Sequence, residues 1–324
     1  MTINRRHLLA GAAFAGATAA LPLTVRVSRA QDGANGMAQA PAYQRITLGG
    51  DTVVTAIADG NLTIGAGAFP NADDATFDAA MEAAFMPAGG YTAPVNAYVV
   101  QVGGRTILID AGGSTGMAPT LGKLDANLAA AGIDPASVDT ILMTHLHPDH
   151  IGGLTEGSAA VFPEAEMAVR AEELNFWTDP ATREMLPEGQ RGMVDAVANM
   201  AAAYDGRITP FDGDVVVTPG IEAVFLPGHT PGHTGYRVSS GADSLLIWGD
   251  IVHVAPLQMA NPDQFIGFDV KPEQAVATRK AILEEVAEDR TLVAGMHLPF
   301  PGFCHVAKDG DGYAFVRSDW QYTL

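Results

Sequence analysis

Residues 144–153 read THLHPDHIGG, which places three histidines and an aspartate within six positions and closes on two glycines. Such side chains are costly to bury without partners, yet these follow directly on the apolar run 140–143, which has the composition of a buried strand. The fold must therefore bring the end of a strand to a place where several of these groups are used together, and loops leaving strand ends are where functional groups are commonly mounted. His145 and His147 are two apart in extended chain, so both can face one ion. The turn at Pro148 then swings Asp149 and His150 toward a second. A closed structural zinc site usually draws on cysteine and four ligands. This run alone holds four candidates, and Cys304, read as a buried apolar thiol, is the only cysteine.

The remaining ligands are expected at other strand ends. LPGHTPGHTG, residues 226–235, follows an apolar strand and holds His229 and His233 in a Gly/Pro turn. LIWGD, residues 246–250, ends an apolar strand in Asp250, and LVAGMH, residues 292–297, ends another in His297. Residues 43–48, 52–58, 95–102, 105–110, 140–143, 215–217, 222–226, 235–238 and 245–248 read as strands, with a hairpin at Gly103-Gly104. Helical periodicity marks 75–85, 120–131, 170–176, 192–204 and 272–287. Strands come in runs between helices rather than in strict alternation. That order predicts an α/β (α+β) chain of two sheets covered by outer helices, not one doubly wound sheet.

Residues 1–30 are expected to be a twin-arginine export leader. Arg5-Arg6 precede an Ala-rich apolar stretch without acidic residues, and Ser28-Arg29-Ala30 offers a cleavage site. A connector over 31–42 and a single domain over 43–324 would follow, in a periplasmic or secreted protein. Setting aside Arg5, Arg6, Arg26 and Arg29 leaves 14 of the 18 basic residues against 37 acidic ones. Such a surface repels phosphate backbones and anionic lipid, which argues against nucleic-acid and membrane partners and favours neutral or cationic substrates.

The strand-end pattern closely resembles the metallo-β-lactamase superfamily. Residues 119–124 (PTLGKL), 144–153, 228–234 and 297–302 (HLPFPG) resemble its methyl parathion hydrolase-like branch, over about residues 43–313. The resemblance implies an αββα sandwich, two mixed sheets flanked by helices, with a dinuclear site of two Zn²⁺ along one edge. In it His145, His147 and His229 would hold the first metal, Asp149, His150 and His297 the second, and Asp250 would bridge them. Asp110, in residues 108–112 (LIDAG), matches a position that supports the active-site loops, and His233 one that is not normally a ligand. Asp149 and Asp250 are also candidates to shuttle a proton to the leaving group.

Members of that branch look like secreted or periplasmic dizinc hydrolases, often homodimers, acting on organophosphate triesters, aryl esters and lactones. Trp177 matches one of their aromatic pocket positions. Met117 and Met193 stand at two others, Phe268 at an aliphatic one, and His253 at an apolar one just after the bridging aspartate. Methionine is flexible and polarizable, so this pocket should accept acyl chains or varied rings, with His253 a candidate donor to a substrate oxygen. Two zinc ions sharing a water would lower its pKa from ~15.7 toward ~7 and provide the hydroxide nucleophile. The expected activity is hydrolysis of a small neutral lactone or aryl ester, with organophosphate triesters as a main or side reaction. The alternatives are a dedicated N-acyl-homoserine lactone lactonase and, from another class, an iron-dependent redox enzyme on the same fold.

Overall fold

Residues 40–324 are described by a computed structural model; the expected leader and most of the connector lie outside them. In chain order the first strands are β1 (Tyr43–Thr47), β2 (Val53–Ile64), β3 (Tyr91–Val102), β4 (Arg105–Ile109), β5 (Thr140–Leu142), the short pair β6 (Thr155–Glu156) and β7 (Ala159–Ala160), β8 (Glu166–Arg170) and β9 (Ile208–Phe211). They are followed by β10 (Val216–Thr218), β11 (Ile221–Phe225), β12 (Thr234–Ser240), β13 (Asp243–Ile247), β14 (Leu292–Ala294), β15 (Phe303–Asp309) and β16 (Gly312–Arg317). The helices are α1 (Asp74–Ala83), α2 (Leu124–Ala130), α3 (Pro148–Ile151), α4 (Ala171–Thr178), α5 (Pro180–Met185), α6 (Gly192–Ala203), α7 (Ala255–Gln258) and α8 (Pro272–Glu288).

Two mixed seven-stranded sheets result, in the orders β1-β2-β3-β4-β5-β8-β9 and β10-β11-β12-β13-β14-β15-β16. Period-2 alternation explains the layering. On β4, Ile107 and Ile109 enter the core between the sheets, beside Leu142, Ile247 and Ala294. Leu108 between them faces the opposite way, into a core closed by Leu128 of α2, Trp177 of α4 and Met200 of α6. On β13 and β14, Leu246 and Val293 likewise turn outward to meet Ile282, Leu283 and Val286 of α8. Strands buried on both faces read as continuous apolar runs, which is why these were visible in the sequence. The architecture is the expected αββα sandwich.

Several elements differ from expectation. β2 does not stop at residue 58: a bulge between Ala58 and Gly60 interrupts its pairing with β3, and the strand then continues to Ile64. An added Cβ at Gly60 would lie 2.0 Å from the Thr120 carbonyl oxygen, so this glycine permits a close backbone approach rather than ending the strand. The helix expected over 120–131 begins only at Leu124, because Gly122 is left-handed (φ 79°). Strands β8, β9, β15 and β16 were not expected. β9 and β16 are edges, and β9 carries a proline tolerated there. Residues 60–92, which the sequence leaves open as a lid or a dimer contact, continue the β2–β3 hairpin and carry α1. Phe69, Phe77, Met81 and Tyr91 there pack on Val254, Leu257 and Ile266.

Candidate metal centre

Loops from both sheets meet at the candidate site. β4 and β5 are parallel neighbours, so Asp110 and residues 143–150 leave the same end of the first sheet. β13 and β14 are parallel neighbours in the second, so Asp250 and His297 also emerge together. β12 runs antiparallel to β13, with Tyr236 opposite Ile247, which brings the β11–β12 turn and His229 to that same end. Pro148 occupies the first position of α3, where its missing N–H costs nothing, and the short helix turns Asp149 and His150 inward.

His147 Nδ1 lies 3.1 Å from His145 Nε2 and 3.0 Å from His229 Nε2. In a second group, Asp149 Oδ2 is 3.8 Å from His150 Nε2 and 3.5 Å from His297 Nε2. Asp250 Oδ2 spans both, 3.4 Å from His229 Nε2, 3.3 Å from His150 Nε2 and 3.1 Å from His297 Nε2. A tetrahedron with bonds of ~2.0–2.1 Å has edges of roughly 3.3 Å, so these separations suit ligand atoms gathered around an ion. The outer nitrogens are already engaged: His150 Nδ1 with Asp110 at 2.7 Å, His229 Nδ1 with Asp269 at 2.8 Å, and His297 Nδ1 with the Pro94 carbonyl at 2.8 Å. Thr144 Oγ1 donates to Asp110 at 2.6 Å and can therefore accept from His145 Nδ1 at 3.0 Å. Each outer bond turns an Nε2 lone pair inward. His150 Nε2 and Asp250 Oδ1 are buried without a hydrogen-bond partner. The donor set fits a dinuclear metal site.

Electrostatics separate the two histidine groups. Burial, helped by neighbouring imidazoles, holds His145, His147 and His229 well below the usual histidine range, so they are neutral and able to ligate. Burial would also discharge His150 and His297, but Asp250 and Asp149, with Asp110 beside His150, outweigh it and raise both. Burial alone would raise Asp250; the surrounding histidines His150, His297, His253 and His145 instead hold it well below the usual carboxylate range.

His233 stands apart from the groups that could hold a metal. Its Nδ1 donates to the Leu226 carbonyl at 2.8 Å and its Nε2 accepts from the Asp250 amide at 2.9 Å, so both nitrogens are committed to holding two loops. Burial pushes its pKa down to about 4. His253 is buried beside Asp250, with Nε2 3.1 Å from Oδ2. Its ring stacks on His297, and neither of its nitrogens has a hydrogen-bond partner.

A cavity of about 190 Å³ adjoins His147 and is lined by Trp177, Met193 and Phe268, together with Phe176, Met185, Leu186 and Val270. Met117 and His253 do not line it. Met117 sits half-exposed in the loop before α2, and His253 is drawn into the histidine cluster instead. Sequence reading missed three buried carboxylates. Asp59, in the β2 bulge, accepts from the amides of Gly113, Gly122, Lys123 and Leu124. Asp269 holds His229. Glu173 accepts from Leu146, Trp177, Thr230 and Gly232. Single acids in loops and on helices carry no local pattern that separates them from surface charges.

Comparison with known proteins agrees with this architecture. The sequence pattern described as "Metallo-beta-lactamase superfamily" matches residues 90–315. The crystal structure of hydrolase AbOPH in the beta lactamase superfamily superposes with a TM-score of 0.82 at 31% identity, covering 87% of this chain and 99% of that one. AidC, a dizinc quorum-quenching lactonase solved with a product, shares the fold with a TM-score of 0.81 at 24% identity, covering 86% of this chain and 98% of its own. The probable metallo-hydrolase YqgX of Bacillus subtilis (strain 168) is 29% identical over 168 residues, 52% of this chain and 69% of that protein. With the family pattern running over residues 90–315, through the loops that carry the candidate ligands, and the fold shared over 87% of this chain, the chain belongs to the metallo-beta-lactamase superfamily, as one of its metallo-hydrolases.

Proposed function

We propose that this chain is a dinuclear zinc hydrolase of small neutral lactones or aryl esters, with organophosphate triesters as a main or side reaction. The observation that carries the reading is that two ligand clusters share Asp250 and adjoin, at His147, an apolar cavity. His145, His147 and His229 would hold the first ion, Asp149, His150 and His297 the second, and Asp250 both. When bound, the pair supplies Lewis-acid polarisation of a substrate oxygen and a water acidic enough to ionise near neutral pH. Phe176, Trp177, Met185, Met193 and Phe268 bind an acyl or aryl group and exclude water from it. Asp149 is more exposed than the other ligand candidates, and is thus the carboxylate better placed to pass a proton to the leaving group. The acidic surface suits a neutral substrate.

A dedicated N-acyl-homoserine lactone lactonase is the second reading, favoured by the fold shared with AidC. Elemental analysis of purified protein, paired with hydrolysis of an acyl-homoserine lactone, an aryl acetate and a methyl phosphotriester, separates the readings. About two zinc per chain and chelator-sensitive hydrolysis are expected. A single iron without hydrolysis would overturn the proposal in favour of redox chemistry. We also propose export by the twin-arginine route: replacing Arg5 and Arg6 with lysine should retain the chain in the cytoplasm, read by cell fractionation.

A further inference from the structure

We propose that Glu173 is a positioning residue that sets the geometry of the first metal position and couples it to the substrate cavity, an inference that rests on the metal reading above. Glu173 lies in α4 with no exposed surface. Its Oε1 accepts from the Leu146 amide at 3.0 Å and from Trp177 Nε1 at 2.7 Å; its Oε2 accepts from Thr230 Oγ1 at 2.6 Å and the Gly232 amide at 3.0 Å. An ionised carboxylate is acceptor-only, with about four lone-pair sites. Four donors fill them.

The identity of those donors gives the residue its role. Leu146 sits between His145 and His147, on the loop that leaves the first sheet. Thr230 directly follows His229, on the turn of the second sheet. One carboxylate therefore clamps together the two loops that carry all three histidines of the first cluster. The second cluster is supported elsewhere, His150 by Asp110 and His297 by the Pro94 carbonyl. The fourth donor, Trp177, lines the cavity and meets His147 edge-on, with ring centroids 5.4 Å apart at 72°. Loop spacing, imidazole position and cavity wall thus share one anchor. The approach is close enough to require glycine at 232, where an added Cβ would lie 2.3 Å from the Glu173 nitrogen.

Glu173→Gln replaces one acceptor oxygen with an NH₂ group that must face two donors, so the clamp cannot be kept on both sides. It should weaken binding of the first ion about 10–100-fold and leave the second unchanged. At limiting zinc the content then falls from two ions per chain to one, and cobalt-loaded protein loses the absorption of one of its two sites. Thr230→Val removes a single donor and should shift the same readouts in the same direction by less; it decides the matter if Glu173→Gln does not fold. Trp177→Phe keeps both loop bonds and should change KM for aryl and acyl substrates while two ions remain bound. Wild-type affinity for both ions in folded Glu173→Gln or Thr230→Val would overturn the proposal. So would equal loss of both ions, the mark of a general structural role. A wild-type protein that binds no pair of ions would instead sink the metal reading itself.

Discussion

Asp110 stands just past β4 with a left-handed backbone (φ 57°), a conformation aspartate tolerates better than most residues. It accepts from the Thr144 amide at 2.8 Å, from Thr144 Oγ1 and from His150 Nδ1. Asp110→Ala leaves these buried donors without a partner and frees the His150 ring to turn. We expect a loss of about 1–3 kcal/mol, measured by urea unfolding, and metal affinity about 10–100-fold weaker, measured by titration. Asp59 is the contrasting case. It serves four backbone amides around residues 113–124 and touches no candidate ligand. Asp59→Ala should also cost about 1–3 kcal/mol, yet the surviving folded protein should hold both ions; metal loss in step with stability would show that these loops act as one unit.

The elements carry the site on short loops whose backbones pass one another closely. At Gly232 a methyl group would meet the backbone of α4 rather than a movable side-chain end. Gly232→Ala should therefore cost about 1–3 kcal/mol by overpacking, whereas Gly189→Ala, with nothing within 4 Å of the new carbon, should leave the unfolding midpoint in place. On the cavity wall, Met193 at the start of α6 is the adaptable member. Met193→Trp should raise KM for long-chain acyl lactones about tenfold or more, the scale of a single methylene misfit in a pocket, while small lactones are spared. Equal effects on both would remove Met193 from the binding surface. At this scale the β-branched and apolar strands were legible, because burial on both faces leaves an unbroken apolar run. β9, β15 and β16 were not, because their polar positions and the Pro210 of β9 obscure the pattern.

Across the whole molecule, two sheets stack so that their loop-bearing ends bring six histidines and two carboxylates of the site into one buried cluster: His145, His147, His150, His229, His253 and His297 around Asp149 and Asp250. Ions that bind only the folded chain add stability by mass action, about 4 kcal/mol at a thousandfold excess over Kd. A chelator should accordingly abolish hydrolysis and lower the melting temperature in calorimetry. An unchanged midpoint would mean that the cluster is held by its own hydrogen bonds. Local chemistry was readable along the chain wherever it was dense. THLHPDHIGG, the paired histidines at 229 and 233, and apolar runs ending in Asp250 or His297 announce themselves, because ligand-type side chains next to buried strands are rarely accidental. Which carboxylates hold those ligands, that Glu173 faces inward from a helix that looks amphipathic, and that His253 joins the cluster while Met117 stays outside the cavity depended on how residues more than twenty positions apart meet. Hydrogen bonds of that reach leave no periodicity in a sequence, since they are set by where two sheets and their loops come to rest against each other.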